Sequence, residues 1–324
     1  MLIKEITKPI EPHLKEFNSF FKNLMKSDVS LLNLIISYLT RKRGKQIRPA
    51  LVLLSAQLCG EISHRTYAGA SMAELLHTAT LIHDDVVDES KERRGMASVN
   101  AIWKNKIAVL IGDYLLAKGL LTAIDNGEFD FLRATSHAVR RMSEGELLQI
   151  QKSKDYNIDE STYFRIISDK TASLMAACCE IGSISSSDNP AYHKKMREYG
   201  EFLGMSFQIQ DDILDYEGKS GTIGKPVGND LKEKKITLPL IYSFSKVSKK
   251  QSKEILSLMK KKKIKKDDIK KIISFVRENG GIEYAFEKAQ EFSSKAVEKL
   301  NIFPDSPAKT SLSVLTDFVI NRNL

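Results

Sequence analysis

The chain has 324 residues, of which 42% are hydrophobic and 28% charged, a composition that excludes a disordered or fibrous protein and can bury a large core. Cys59 and the adjacent Cys178 and Cys179 make neither a disulfide framework nor a zinc spacing, so they read as packing residues in a reducing compartment. The net charge of +9 is local: between Lys246 and Lys271 twelve lysines face only Glu254, Asp267 and Asp268, and the rest of the chain balances at 38 basic and 38 acidic residues.

The opening "MLIKEITKPIEPHL" lacks the continuous apolar core of a signal peptide. The longest apolar runs, Leu51 to Cys59 and Ile107 to Ala117, fall short of the roughly 20 residues of a bilayer span, so a cytoplasmic protein is expected. Apolar residues recur at helical spacing in "SMAELLHTATLIHDDVVDE", "IAVLIGDYLLAKGLLTAI", "FLRATSHAVRRMSEGELLQIQ" and "SLMAACCEIGSI". Short breaks such as "DNGEFD", "SSSDNPA" and "EGKSGTIGKPVGND" separate them, and none has the length of a linker. The pattern predicts an all-α fold, a single domain over residues 1–324, built as a helical bundle around a cavity.

Two stretches carry chemistry. "HDDVVDESKERRG" holds Asp84, Asp85 and Asp88, and "FQIQDDILDYEGK" repeats the same spacing with Asp211, Asp212 and Asp215. On a helix the first and fifth positions differ by about 40° and one turn, so Asp84 and Asp88 share a face, as do Asp211 and Asp215. Like charges so placed repel, and hard carboxylate oxygens without cysteine or histidine partners favour Mg²⁺, which takes its remaining ligands from water and phosphate. The two clusters therefore imply a site for a magnesium-bound polyphosphate. Arg93 and Arg94 offer fixed charge to phosphate, with ion pairs to Glu89 or Glu92 as the alternative. Lys45 and Arg48 in "RGKQIRP" stand at a helix start, and Lys170 in "SDKTASL" and Lys225 in "GTIGKPVGND" lie where an anion site would use them.

With these motifs in this order, the chain resembles the trans-polyprenyl diphosphate synthases over nearly its whole length, from "GKQIRP" through "LIHDDVVDESKERRG", "KTASL" and "FQIQDDILD" to "GKPVGNDLKEKKITLPL". The resemblance implies the isoprenoid synthase type of helical bundle, homodimerisation, and chain elongation of an allylic diphosphate by isopentenyl diphosphate. It implies that Asp84, Asp88 and Asp211, with Asp85, Asp212 and Asp215, hold about three Mg²⁺ per active site when substrate is bound. It gives Arg93, Lys170, Thr171, Gln208, Lys225 and Lys235 to the allylic diphosphate. Lys45, Arg48, His77 and Arg94 go to isopentenyl diphosphate. His77, seven residues before Asp84, lies on the same helical stripe.

In this family bulky residues four and five positions before the first motif floor the product tunnel. Here those positions are Thr80 and Ala79, with Leu76 one turn further down, which implies a long product of the size used for quinone side chains; a short-chain synthase is the alternative. The chain departs from the family at Lys234, where relatives carry glycine, and in its tail, where only Arg322 is basic. A terpene cyclase would mix Asn or Asp, Ser or Thr, and Glu in the second motif, and a non-catalytic partner subunit would have lost one or both clusters. A His-Asp metallohydrolase on His83 and Asp84 would need more histidines than His64 and His77 and would leave the second cluster unused. The lysine-rich segment reads as solvated surface, with attraction to an anionic membrane as the alternative. Nucleic-acid binding is not expected, because no aromatic residues interleave with the lysines.

Overall fold

Helical periodicity in the sequence becomes helix along almost the whole chain in the computed structural model, which describes residues 2–41, 46–93, 95–156, 158–217 and 227–321. Lys45, Arg94, Lys225 and Arg322, all singled out by the sequence, lie outside the described residues. The order is α1 (Leu2–Ile6), α2 (Glu11–Leu24), α3 (Ser30–Arg41), α4 (Ile47–Cys59), α5 (His64–Val87), then the hairpin strands β1 (Glu92–Arg93) and β2 (Met96–Ala97). There follow α6 (Val99–Asp125), α7 (Phe129–Asp155), α8 (Glu160–Ile167), a π-helical segment (Ser168–Ala172), α9 (Ser173–Ser186) and α10 (Pro190–Glu217). The chain ends with α11 (Asn229–Lys232), α12 (Leu238–Ser245), α13 (Lys249–Met259), α14 (Lys266–Glu278), α15 (Gly281–Lys299) and α16 (Pro307–Asn321).

The chain divides into two compact units. The first comprises Met1–His137, Leu174–Gly200 and Lys299–Leu315. Its central helix α5 is buried on most sides, and Leu75, Ala79 and Ile82 join Ile35 of α3 and Ala108, Ile111 and Leu115 of α6 in one apolar cluster. The apolar run Ile107 to Ala117 is by itself too short to span a bilayer. In the structure α6 continues to Asp125 and is, by length and composition alone, long enough to do so. It packs along α5, and a row on it remains uncovered: Val109, Leu110, Leu121 and Ile124 are exposed. Cys178 and Cys179 are buried, and burial pushes the Cys178 thiol up to about 12, as expected of inert packing residues.

The second unit comprises Ala138–Ser173, Glu201–Glu298 and Thr316–Leu324. Ile209, Ile213 and Tyr216 of α10 pack there with Leu231, Leu238, Leu240, Ile272 and Val276. Two glycines let neighbouring helices close on the π-helical segment. A Cβ at Gly145 of α7 would come within 2.9 Å of the Asp169 Cβ and 3.0 Å of the Lys170 nitrogen. One at Gly204 of α10 would meet the Ala172 Cα at 2.5 Å. Glycine in a helix interior costs about 1 kcal/mol relative to alanine, and here close approach offsets it.

Candidate functional site

In the first unit the aspartate motif occupies the last turn of α5. The helix stops because Glu89 takes the left-handed conformation, φ 51°. The Ser90 N–H then reaches back to the Asp85 carbonyl at 2.9 Å and the Glu89 N–H to that of Val86 at 3.4 Å, a Schellman ending with Asp88 as C-cap. Asp84 and Asp88 are exposed, whereas Asp85, 2% exposed, points inward. Arg93, on the hairpin, closes on Asp85, its Nε 2.7 and 2.8 Å from the two carboxylate oxygens. The ion-pair partner is thus Asp85, not the Glu89 or Glu92 weighed from sequence. Asn100 Nδ2 donates to the Asp85 carbonyl at 3.0 Å and Ser98 Oγ to that of Ser90 at 2.6 Å, tying the start of α6 to the end of the motif.

His77 is buried on α5, and Arg48 lies half-buried in the first turn of α4. Of the three residues assigned to product length, Ala79 (1% exposed) and Leu76 (3%) are buried, Ala79 within the cluster shared by α3, α5 and α6. Thr80, four residues before Asp84, is half-buried, its hydroxyl donating to the His77 carbonyl at 2.9 Å. The first unit also holds an apolar cavity of about 120 Å³, lined by Phe17, Phe21 and Leu81 with Asp85 and Arg93 at its polar edge; Leu76, Ala79 and Thr80 do not line it.

The second unit gathers much of the remaining set. A cavity of about 90 Å³ is lined by Lys170, Thr171, Gln208, Asp212, Asp230 and Lys235 among others. Lys170 and Thr171 stand on the π-helical segment, an irregularity that often marks functional positions. Lys170 is held by the Glu146 carboxylate and by Gln149 Oε1 at 2.9 Å. A chain of hydrogen bonds crosses the cavity wall. Thr171 Oγ donates to Gln208 Oε1 at 2.8 Å, Gln208 Nε2 to Asp212 Oδ1 at 2.8 Å, and the buried Tyr163 hydroxyl to Asp212 Oδ2 at 2.6 Å. Burial first, then the charge of Asp230, pushes the Asp212 carboxyl up to about 8 against these donors.

Asp215 is committed differently. Its oxygens accept the backbone N–H groups of Asn229 at 2.9 Å and Asp230 at 3.0 Å, so it caps α11. At the far end of α11 Lys234 has φ 60°, with Lys235 N–H bonded to the Asp230 carbonyl at 2.8 Å and Lys234 N–H to that of Leu231 at 3.1 Å. This second Schellman ending explains the family's glycine: the position needs a left-handed backbone. Lysine occupies it with the hydrogen bonds intact, so Lys235 keeps its register and reaches the cavity. Burial opposes the Lys235 charge, and the Glu233 carboxylate, 2.6 Å away, outweighs it, raising the Lys235 pKa.

Among the described residues, no three His, Cys, Asp or Glu side chains are gathered as a metal site by the protein alone. Of the six aspartates assigned to metal, Asp85, Asp212 and Asp215 have both carboxylate oxygens turned to protein donors. Asp84 and Asp88 are exposed and Asp211 is half-buried.

Residues 29–276 match the family model described as polyprenyl synthetase. The chain belongs to the polyprenyl synthetase family. It is a prenyltransferase with that family's all-helical fold. It is 33% identical over 323 residues to an octaprenyl diphosphate synthase of Haemophilus influenzae, covering 100% of this chain and 98% of the relative. It is 33% identical over 316 residues to a geranylgeranyl diphosphate synthase of Saccharolobus solfataricus, covering 94% of each. The crystal structure of a polyprenyl synthase from Caulobacter crescentus CB15, complexed with calcium and isoprenyl diphosphate, matches with a TM-score of 0.90 and 31% identity, over 99% of this chain and 98% of that one.

Sequence reasoning missed several residues of this polyprenyl synthetase that shape the second-unit cavity. Glu146 and Gln149, which grip Lys170, are three apart in "GELLQ" and so share a helix face, a signal that was legible. Tyr163 carried no such signal. Nor did Arg141, which binds Asp169 at 2.7 Å, Ser168 at 2.7 Å and Glu201 at 2.7 Å and so braces the segment bearing Lys170.

Proposed function

We propose that this polyprenyl synthetase adds isopentenyl diphosphate head-to-tail to an allylic diphosphate such as farnesyl or geranylgeranyl diphosphate, giving a long-chain all-trans polyprenyl diphosphate for quinone side chains. The observation that carries the reading is the second-unit cavity, where the cations Lys170 and Lys235 meet the polar groups of Thr171 and Gln208.

The donor set fits a divalent metal. Asp84 and Asp88 in the first unit, and Asp211 in the second, are hard carboxylate donors without sulfur or imidazole, suited to Mg²⁺ that keeps waters and takes phosphate oxygens. Bound at these carboxylates, Mg²⁺ would neutralise charge on the allylic diphosphate. Asp85, Asp212 and Asp215 instead fix the hairpin, Gln208 and α11 that follow or face each motif.

Breaking the allylic carbon–oxygen bond places negative charge on the departing diphosphate. Lys170, positioned by Glu146 and Gln149, and Lys235 line the cavity and stabilise that charge. Apolar helix faces keep water from the allylic cation. The double bond of isopentenyl diphosphate attacks the cation, and the released diphosphate takes the proton, so no protein base is needed.

The octaprenyl relative and the small side chains of Ala79 and Thr80 support a long product; the geranylgeranyl relative favours a shorter one as the second reading. Homodimerisation is supported by the exposed row on α6, where Val109, Leu110, Leu121 and Ile124 fall within about 120° of one another. The test is purified protein with Mg²⁺, farnesyl diphosphate and labelled isopentenyl diphosphate, with products sized by chromatography. Stepwise chain growth is expected. Phosphate release without growth, or a cyclic hydrocarbon, would overturn the reading.

A further inference from the structure

The lysine-rich segment is not used by the chemistry proposed above, yet it holds the whole net charge of the chain. All twelve lysines from Lys246 to Lys271 are exposed. At 100° per residue, Lys249, Lys253 and Lys260 of α13 and its C-cap fall within about 40° of one another. Lys266 and Lys270 of α14 are likewise about 40° apart, and the turn between the helices adds Lys261, Lys262, Lys263 and Lys265. Other positions of the segment are spent on the core, through Met259, Ile264, Ile269, Ile272 and Val276.

The acids do little to cancel this face. Asp268 is buried and accepts from Lys261 Nζ at 2.7 Å and from the Lys265 N–H at 3.0 Å, so it neutralises one lysine and starts α14. Lys246 and Lys260 lie over the Tyr242 and Tyr156 rings, at 4.7 and 5.6 Å, contacts that keep their charge. Among the described residues of α13 and α14, no large apolar side chain is exposed.

We infer that this lysine face is a docking surface for an anionic lipid bilayer. Three observations select that partner. The cations are all lysine, point charges suited to a smeared negative surface, with no arginine fork between Lys246 and Lys271 for discrete phosphates. No exposed aromatic ring on α13 or α14 offers a stacking platform for nucleic acid. Without exposed apolar groups the helices adsorb by charge alone and do not insert, so binding is reversible and governed by salt. Each lysine brought to such a surface strengthens partitioning roughly fivefold. The inference rests on charge and exposure. The proposed reaction adds only that its product is itself a lipid, which such docking would hold near a bilayer.

The experiment is co-sedimentation of the full-length protein with vesicles of phosphatidylcholine alone or mixed with phosphatidylglycerol, alongside duplex DNA as competitor. Binding to the anionic vesicles only is expected, and its loss at roughly 0.5 M salt. A Lys249→Glu, Lys253→Glu, Lys260→Glu variant should bind more than roughly 100-fold less, while condensing soluble short-chain substrates at the wild-type rate. Equal binding to neutral vesicles, full vesicle binding by the variant, or tight binding to DNA with none to vesicles would overturn the inference. Vesicle binding without prenyl transfer would instead leave the docking surface standing and remove the proposed reaction.

Discussion

The Arg93 guanidinium closes on the Asp85 carboxylate, at 2.7 and 2.8 Å to its two oxygens, and thereby ties the hairpin after the first motif to the helix that carries it. Two aspartates three residues apart consequently do different work. Asp85→Asn should lower stability by roughly 1–2 kcal/mol in urea denaturation, because it weakens a buried charge pair whose arginine is partly solvated. Asp88→Asn, at an exposed C-cap, should change stability by less than about 0.5 kcal/mol yet lower kcat/KM by roughly 100-fold or more. Equal effects of the two substitutions on both measurements would contradict the division.

Close packing at Gly145 gives a second prediction. Gly145→Ala improves helix propensity, but its methyl group would strike Asp169 and the Lys170 backbone. A net destabilisation of roughly 1–3 kcal/mol is expected in a urea titration, with a raised KM for the allylic substrate because Lys170 and Thr171 ride on the displaced segment.

Both motifs are followed by a non-glycine residue in the left-handed region, Glu89 at φ 51° and Lys234 at φ 60°. Replacement by glycine at either position relieves strain that a β-carbon imposes, partly offset by the greater freedom of glycine in the unfolded chain. Glu89→Gly and Lys234→Gly should each stabilise the protein by about 0.5–1 kcal/mol, seen as a higher urea midpoint. For Lys234→Gly, kcat should be unchanged, since the bonds that set Lys235 are backbone bonds.

Asp212 predicts a pH dependence. Its folded pKa of about 8 lies above the unfolded carboxylate value of about 3.9, so the folded protein keeps a proton that the unfolded chain releases. The contribution is fully present below about pH 4 and is lost as pH rises towards about 8. Metal-free wild-type protein should therefore lose stability across that window, and Asp212→Asn should flatten the decline. Urea midpoints at about pH 5 and about pH 8 measure it.

Product length should respond to Thr80 more cleanly than to Ala79. Thr80→Phe, four residues before Asp84 on the same stripe, should shorten the product with the first condensation largely intact. Ala79→Phe would overpack the α3–α5–α6 cluster by roughly 1–3 kcal/mol and confound the readout. Chromatographic sizing of products from both variants, beside their melting curves, separates the two effects.

Sequence alone determined the helical class and the two aspartate motifs and singled out Lys170, while Thr171, Gln208 and Lys235 entered only through the resemblance those motifs carry. Helical period and charge spacing are local properties, readable from one strand of text. It also exposed the odd lysine at position 234, though not its reason, because a backbone dihedral has no trace in composition. What only the tertiary structure decided is how each aspartate is used. Asp84 and Asp85 are neighbours in sequence and both acidic, yet one faces solvent and the other Arg93, because a helix turns 100° per residue and the core lies on one side only. Asp212 and Asp215 are likewise claimed by Tyr163 and the start of α11, partners from separately folded stretches, with Gln208 one turn back on the same helix as the local exception. Hydrogen-bond partners of buried groups are set by packing, and packing is the part of the fold that spacing in the sequence does not encode.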